Sequence, residues 1–308
     1  MLHFFKFSVI ENGSIEHEYC IFGSTMQVTR RATISKAEFI DKHLIANTPL
    51  ITTEVIGNWD LFWSPDEWSR RFGQELAQVY DDLFKLIDVM PLSSFVRKFM
   101  GNREAPKQSG PQPYLRWYTK MKDVDFVWAD EVFAKISDRW SLPSFLPDRN
   151  YLFPNAYDRS VDPAKDPFPA KGIFISGAGA RTRLHQDPWG SDAVLCQLFG
   201  RKRVLLFSPA QDNTLMQNGV VVDIDNLEKS LASPASNIKP AYEDVLEAGE
   251  VLFIPSGWHH HVATITDSVS LTWNFVHLST WNKFFRHLTS PAGVESELPV
   301  LRYFADLK

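Results

Sequence analysis

Two stretches of this 308-residue sequence concentrate side chains that can bind a metal ion. One is Leu184-His185-Gln186-Asp187; the other is Trp258-His259-His260-His261, inside IPSGWHHHVAT (254–264). Three consecutive histidines on a strand cannot converge on one ion, because successive side chains point to opposite faces. His260 shares a face with Val262 and Thr264, and His259 and His261 share the other. His185 and Asp187 are two apart, so on a strand both can touch one ion. With one histidine from the second stretch they make two imidazoles and a carboxylate on one face of an octahedron. That donor set leaves positions open and suits non-haem Fe(II) used with O2. The spacing alone leaves the register open among His259, His260 and His261. H-x-D alone is a weak signal, and a His-rich strand is more often packing than ligation. The coincidence of H-x-D, a strand ending in FIPSGW and a following histidine is what carries weight.

The elements that would position these groups lie in the second half. GIFISG, AVLCQLFG, KRVLLFSP, DVLEAGEVLFIPSG, HHHVATIT and SVSLTWNFV are short apolar runs between turn signals. Such regular short strands predict an antiparallel sandwich or barrel. The first third mixes types. Ser35 and Ser64 each begin a capping-box spacing, with Pro65 at a first helical position. LITTEVI after Pro49 reads as β, and SSFVRKFM (93–100) as a short helix. Residues 101–113 and 139–170 read as loops. WNKFFRHL and ELPVLRYFADL, in the tail, read as amphipathic helices.

The composition is that of an ordinary globular chain, 44% hydrophobic and 22% charged. A net charge of −5 gives no bulk attraction to nucleic acid or anionic membrane. Two cysteines, Cys20 and Cys196, make neither a disulfide framework nor a zinc spacing. No apolar stretch reaches the ~18 residues of a membrane span, and the N-terminus lacks the pattern of a signal peptide. A cytoplasmic protein without a membrane partner is expected.

The block HQDPWGSDAVLCQLFGRKRVLLFSP (185–209), with LEAGEVLFIPSGWHHHV, resembles the cupin-type Jumonji-C hydroxylases. The resemblance covers most of residues 35–278. It implies a mainly β fold with flanking α: a double-stranded β-helix (jelly-roll, cupin) core over 111–278. Helix and strand elements over 1–110 would pack on that core, and a helical segment over 279–308 would follow it. It implies Fe(II), with 2-oxoglutarate and O2 as co-substrates. The family's ligand histidine stands five residues after the strand-ending proline; Pro255 plus five is His260. The implied metal ligands and catalytic residues are thus His185, Asp187 and His260, with a slipped register placing His259 or His261 there instead.

The resemblance also implies a co-substrate site. Lys202, seventeen residues after His185, matches the lysine that takes the distal carboxylate, and Thr182 matches a hydroxyl on the same group. Asn274 and its face-mate Thr272 match the polar groups near the metal. Tyr114 matches a tyrosine that contacts 2-oxoglutarate. One departure stands out: Ala193-Val194-Leu195 occupies the place of a family asparagine, so Ser191 or Asp192 is expected to replace part of its role. Trp189 is expected at the pocket mouth.

The activity implied is hydroxylation of an amino-acid side chain in a protein or peptide. A small molecule or peptide natural product is the alternative substrate, and a non-catalytic cupin-fold binding protein is the contrasting class. Demethylation and RNA modification are disfavoured by the absence of reader domains and by the acidic charge. A homodimer through the C-terminal helices is a further expectation.

Overall fold

Serine hydroxyls start the two N-terminal helices. Ser35 Oγ accepts from Glu38 N and opens helix Lys36–Phe39, which runs on as a wider π turn over Ile40–Ile45. Ser64 Oγ accepts from Glu67 N and opens helix Pro65–Phe72, ended at Gly73. Each serine satisfies an N–H that has no partner inside the helix. A third helix, Leu92–Phe99, buries Leu92, Phe95 and Val96. The computed structural model describes residues 25–82, 84–101, 112–118, 127–151, 170–187, 190–217, 220–221, 227, 231, 233 and 238–290. Trp189, Cys20 and the expected helix after residue 290 lie outside the described residues.

The strands, in chain order, are β1 (Arg30–Arg31), β2 (Leu50–Thr52), β3 (Leu76–Tyr80), β4 (Leu86–Pro91), β5 (Tyr114–Tyr118), β6 (Ala170–Ser176), β7 (Arg181–His185), β8 (Asp192–Phe199), β9 (Lys202–Phe207), β10 (Met216–Gln217), β11 (Val220–Val221), β12 (Tyr242–Leu246), β13 (Val251–Ile254), β14 (His259–Thr264) and β15 (Ser268–Phe275). Among the described residues, β1-β2-β13-β8-β15-β6-β5-β3-β4 form a nine-stranded sheet and β12-β9-β14-β7 a four-stranded one. Four strands of the larger sheet, β13-β8-β15-β6, face the smaller sheet across the cavity, as in a cupin jelly roll.

Two sequence expectations are corrected. LITTEVI supplies only the three residues of β2 to the sheet, before the chain bends. The run DVLEAGEVLFIPSG is two strands, β12 and β13, in different sheets, turned at Gly249 with φ +93°. The hairpin β3–β4 was not expected. Its β3 joins β5 and extends the large sheet beyond the jelly roll.

Two apolar cores follow from strand alternation. Outside the large sheet, Trp68, Trp117, Phe39, Phe145, Phe253 and Trp273 pack with the N-terminal helices, and all are fully buried. Between the sheets, Val204, Leu206, Leu252, Ile254 and Val262 fill one end of the cavity. A third cluster of Leu184, Leu205, Phe207, Leu215 and Leu227 covers the outside of the small sheet. No helix among the described residues is long and apolar enough to cross a membrane.

Candidate metal centre

Strand pairing brings the two chemical stretches together. In the β14–β7 ladder His260 stands directly opposite His185. Cross-strand partners share a face, so both rings enter the space between the sheets. Their ring centroids are 4.1 Å apart. Asp187 lies just past the end of β7 rather than on it, and its Oδ2 is 3.8 Å from His260 Nε2. One ligand atom from each of His185, Asp187 and His260 falls within 4.8 Å of the others.

The backbone fixes how the rings point. His185 Nδ1 is 2.6 Å from Arg183 O, and His260 Nδ1 is 3.2 Å from Trp258 O. A carbonyl can only accept, so both Nδ1 atoms carry a proton and both Nε2 atoms are left facing the centre. This is the outer arrangement that holds a ligating imidazole in one tautomer. Burial, with His260 beside it, holds His185 well below the usual histidine range, which keeps it neutral and able to ligate. The chain enters β14 through the turn Pro255–Trp258, in which Trp258 N donates to Pro255 O. Gly257 takes φ +80° at its third position, as a type II turn requires.

The neighbouring histidines face the other way. His259 Nδ1 lies 3.2 Å from Gln186 Nε2 and 3.3 Å from Asp212 Oδ1. His261 is buried on the same outer face. Burial pushes both imidazoles down to about 4, so neither is charged near neutrality.

Further along the cavity is the polar group of β9 and β15. Lys202 is buried with Val204 and Leu206 on its inward face, and its Nζ donates to Ser270 Oγ at 2.6 Å. Desolvation pushes the ammonium down to about 7, and no carboxylate pairs with it among the described residues. Thr272 and Asn274 continue the inward face from Ser270, and Asn274 Nδ2 donates to Ser191 Oγ at 3.2 Å. Of the two groups expected to replace the missing asparagine, Ser191 thus joins this face. Asp192 takes the opposite one, where its carboxylate accepts from Ser256 N and Thr280 Oγ1. Burial raises Asp192 to about 7.

Thr182 reaches the cavity through an irregularity. Three residues from His185, it would face away on a regular strand. The β7–β14 register instead slips by one residue, so that Val262 opposes Thr182 while His260 opposes His185. The bulge turns Thr182 and His185 to one side.

The sequence reading missed one wall of the site. At the tip of the β3–β4 hairpin, Phe84 takes φ +62° and sets its ring edge-on to His185, with centroids 4.6 Å apart. It also meets Tyr114 at 6.4 Å; Tyr114 stacks on Phe174 at 5.9 Å, and Lys202 Nζ lies 6.0 Å from the Phe174 ring. An aromatic run thus joins the metal end to the lysine end. Asp82 anchors the hairpin. It is buried and accepts from Arg181 Nε at 3.2 Å and Arg183 Nε at 2.9 Å, while its carbonyl accepts from Arg183 N. The only sequence signal was the polar pair Asp81-Asp82 between two apolar runs.

The model of the cupin-like domain family matches residues 35–280, most of the chain. The chain belongs to the cupin-like domain family. Curated relatives of this cupin-like chain include Jumonji-C proteins. Arginine-specific demethylase JMJ20 of Arabidopsis thaliana is 25% identical over 266 residues, covering 79% of this chain and 55% of that protein. The 2-oxoglutarate and iron-dependent oxygenase JMJD4 of Gallus gallus is 34% identical over 109 residues, covering 34% and 26%. The tRNA wybutosine-synthesizing protein 5 of Gallus gallus is 28% identical over 242 residues, covering 76% and 69%. The chain spans about half the length of JMJ20 and about a quarter of JMJD4.

Proposed function

We propose that this cupin-like protein is an Fe(II)- and 2-oxoglutarate-dependent oxygenase that hydroxylates an amino-acid side chain of a protein or peptide. The observation that carries the reading is the convergence of His185, Asp187 and His260 within 4.8 Å. The donor set fits Fe(II): two imidazoles presenting Nε2 and one carboxylate, with further positions open to co-substrate. A second observation supports the co-substrate. Lys202 is a buried cation without a carboxylate partner among the described residues, and a buried charge needs one. The distal carboxylate of 2-oxoglutarate supplies it.

In this reading His185, Asp187 and His260 hold the metal, and the carbonyls of Arg183 and Trp258 fix the two rings. Lys202 and Thr182 bind the distal acid. Asn274, Thr272 and Tyr114 line the pocket between. The bound iron, 2-oxoglutarate and O2 would supply the oxidation, one oxygen atom entering a substrate C–H bond and the other entering succinate as CO2 leaves. The aromatic run from Phe84 to Phe174 keeps water from the wall that leads from His185 to Lys202.

The names of the relatives span arginine demethylation and tRNA modification as well as oxygenase chemistry. A protein or peptide substrate suits the acidic chain better than a nucleic acid. A small molecule is the second reading of the same site. The test gives purified protein Fe(II), 2-oxoglutarate, O2 and a peptide pool. Succinate release with a mass gain of one oxygen atom on a peptide supports the proposal. Turnover confined to small molecules favours the second reading. No succinate and no metal binding would make the chain a non-catalytic cupin.

A further inference from the structure

Behind Lys202 stands a closed file of buried side chains that neither the metal nor the apolar core uses. Gln197 on β8 and Ser268 and Ser270 on β15 are fully buried. Gln197 Nε2 lies 2.7 Å from Phe199 O, 3.2 Å from Gly200 O and 2.8 Å from Ser268 Oγ. Two carbonyls at one end of an amide must face its nitrogen, so Oε1 is left facing Ser270. Ser270 Oγ then donates to Gln197 Oε1 at 3.0 Å. Its single proton is spent there, so toward Lys202 the hydroxyl can only accept. Lys202 Nζ meets it at 2.6 Å. The direction of every bond is fixed from the Phe199 and Gly200 carbonyls outward.

The backbone is shaped for this file. The β8–β15 register steps by one residue, Val269 opposing Phe199 and Ser270 opposing Gln197. Gln197 faces the cavity by alternation with Ala193 and Leu195, and the bulge falls just beyond it, where Phe199 and Gly200 turn their carbonyls to its amide. Gly200, which supplies one of the carbonyls, takes φ +72°, and a Cβ there would meet Asp267 O at 2.0 Å. No side chain larger than glycine's fits that approach.

We propose that Ser270 and Gln197 are positioning residues for 2-oxoglutarate: they hold the Lys202 ammonium at the floor of the pocket with its remaining N–H groups aimed at the distal carboxylate. This rests on the proposed oxygenase reading. Neither residue touches the co-substrate; both act through Lys202. Among the described residues, the ammonium is met by Ser270 from β15 and Phe174 from β6, with Gln197 of β8 behind Ser270, and Lys202 is opposed in its ladders by Thr264 from β14 and Leu246 from β12. None of these is ionisable, and among the described residues Ser270 Oγ is the group within hydrogen-bond distance of Nζ, placed to stabilise the charge. Thr264 is itself engaged with Ser176 Oγ at 2.9 Å.

The test measures 2-oxoglutarate binding to the Mn(II)-loaded full chain by calorimetry, beside Mn(II) affinity itself. Ser270→Ala is expected to weaken 2-oxoglutarate about tenfold, the scale of a lost hydrogen bond to a charged group, with Mn(II) affinity unchanged. Ser270→Thr restores the acceptor and should bind within about threefold of wild type. If Ser270→Ala fails to fold, Ser270→Cys keeps the shape and replaces the oxygen by a weak acceptor. In that variant the loss of affinity with rising pH should begin at lower pH than in wild type, a shift that simple loosening of the core would not produce. Wild-type affinity and pH profile in the Ala and Cys variants would overturn the proposal. Lys202→Ala separates the two levels. If it loses 2-oxoglutarate while Ser270→Ala does not, the oxygenase reading stands and the positioning role falls; if it also binds normally, the anchor itself is wrong.

Discussion

On one face of β15, Leu271 and Trp273 enter the main apolar core, with Trp68, Trp117 and Phe253. On the other face of the same strand, Ser270, Thr272 and Asn274 enter a cavity with Lys202 and the His185–Asp187–His260 cluster. Residues one apart in sequence thus sit in opposite media. The outer face gains stability from area removed from water, roughly 1.5–3 kcal/mol for each fully buried large side chain. The inner face gives some of that up. It buries Lys202 with no carboxylate partner among the described residues and sets two imidazoles side by side, an arrangement that bound ions would stabilise. Stability and chemistry are separated by a single sheet.

Substitutions on the two faces should therefore fail in different ways. The largest effect belongs to the metal cluster. Asp187→Ala should lower turnover by more than about 100-fold, beyond the 10–100-fold seen when only an outer partner of a ligand is lost. Unfolding by denaturant should be little changed, which separates site from scaffold. On the outer face, Trp273→Ala should cost about 3–5 kcal/mol in the same unfolding experiment. Protein that remains folded should bind Mn(II) as before. Lys202→Met joins the two cases: it should abolish tight 2-oxoglutarate binding yet leave stability equal or higher, because it removes an unpaired buried charge.

The pH dependence carries the same contrast. Burial pushes the Lys202 ammonium down to about 7 in the folded chain, against the ordinary lysine value of 10.5. Between those values the unfolded chain holds a proton that the folded chain has released, so stability rises with pH across that window. Below it, both states are protonated and the folded one bears the full desolvation cost. Denaturant melts of wild type against Lys202→Met from pH 7 to 10 should show the rise in the wild type alone. The smallest effect lies farthest from the cavity: Ser64→Ala should cost about 1 kcal/mol through its helix cap.

Much of the scaffold was legible because its signals are local. Ser35 and Ser64 announce their helices through a hydroxyl three residues from the N–H it caps, and the runs of β6, β8, β9, β14 and β15 carry their own apolar pattern. Choosing His260 needed a family spacing, since alternation alone admits His259 or His261 by a slip of one. What stayed hidden depends on pairing between distant segments. The facing of Thr182 depends on a slip between β7 and β14. Phe84 and Asp82 belong to a hairpin whose apolar runs, LAQVY and LIDVMP, are too short to tell strand from helix. Their place against His185, Arg181 and Arg183 lies about a hundred residues away in sequence, beyond any local rule.

The position of β7 in its sheet has a dynamic consequence. It is an edge strand, paired along its length with β14 alone and tied on its free side by the Asp82 turn and the Gln112–Ala180 bridge among the described residues. Edge strands are among the first parts of a domain to exchange their amide hydrogens, opening as small cooperative units while the rest stays folded. Opening β7 would carry His185 and Asp187 away from His260 together. Closing the strand and assembling the cluster are thus one equilibrium, and Mn(II) should slow amide exchange at Leu184 and His185 more than at Trp273.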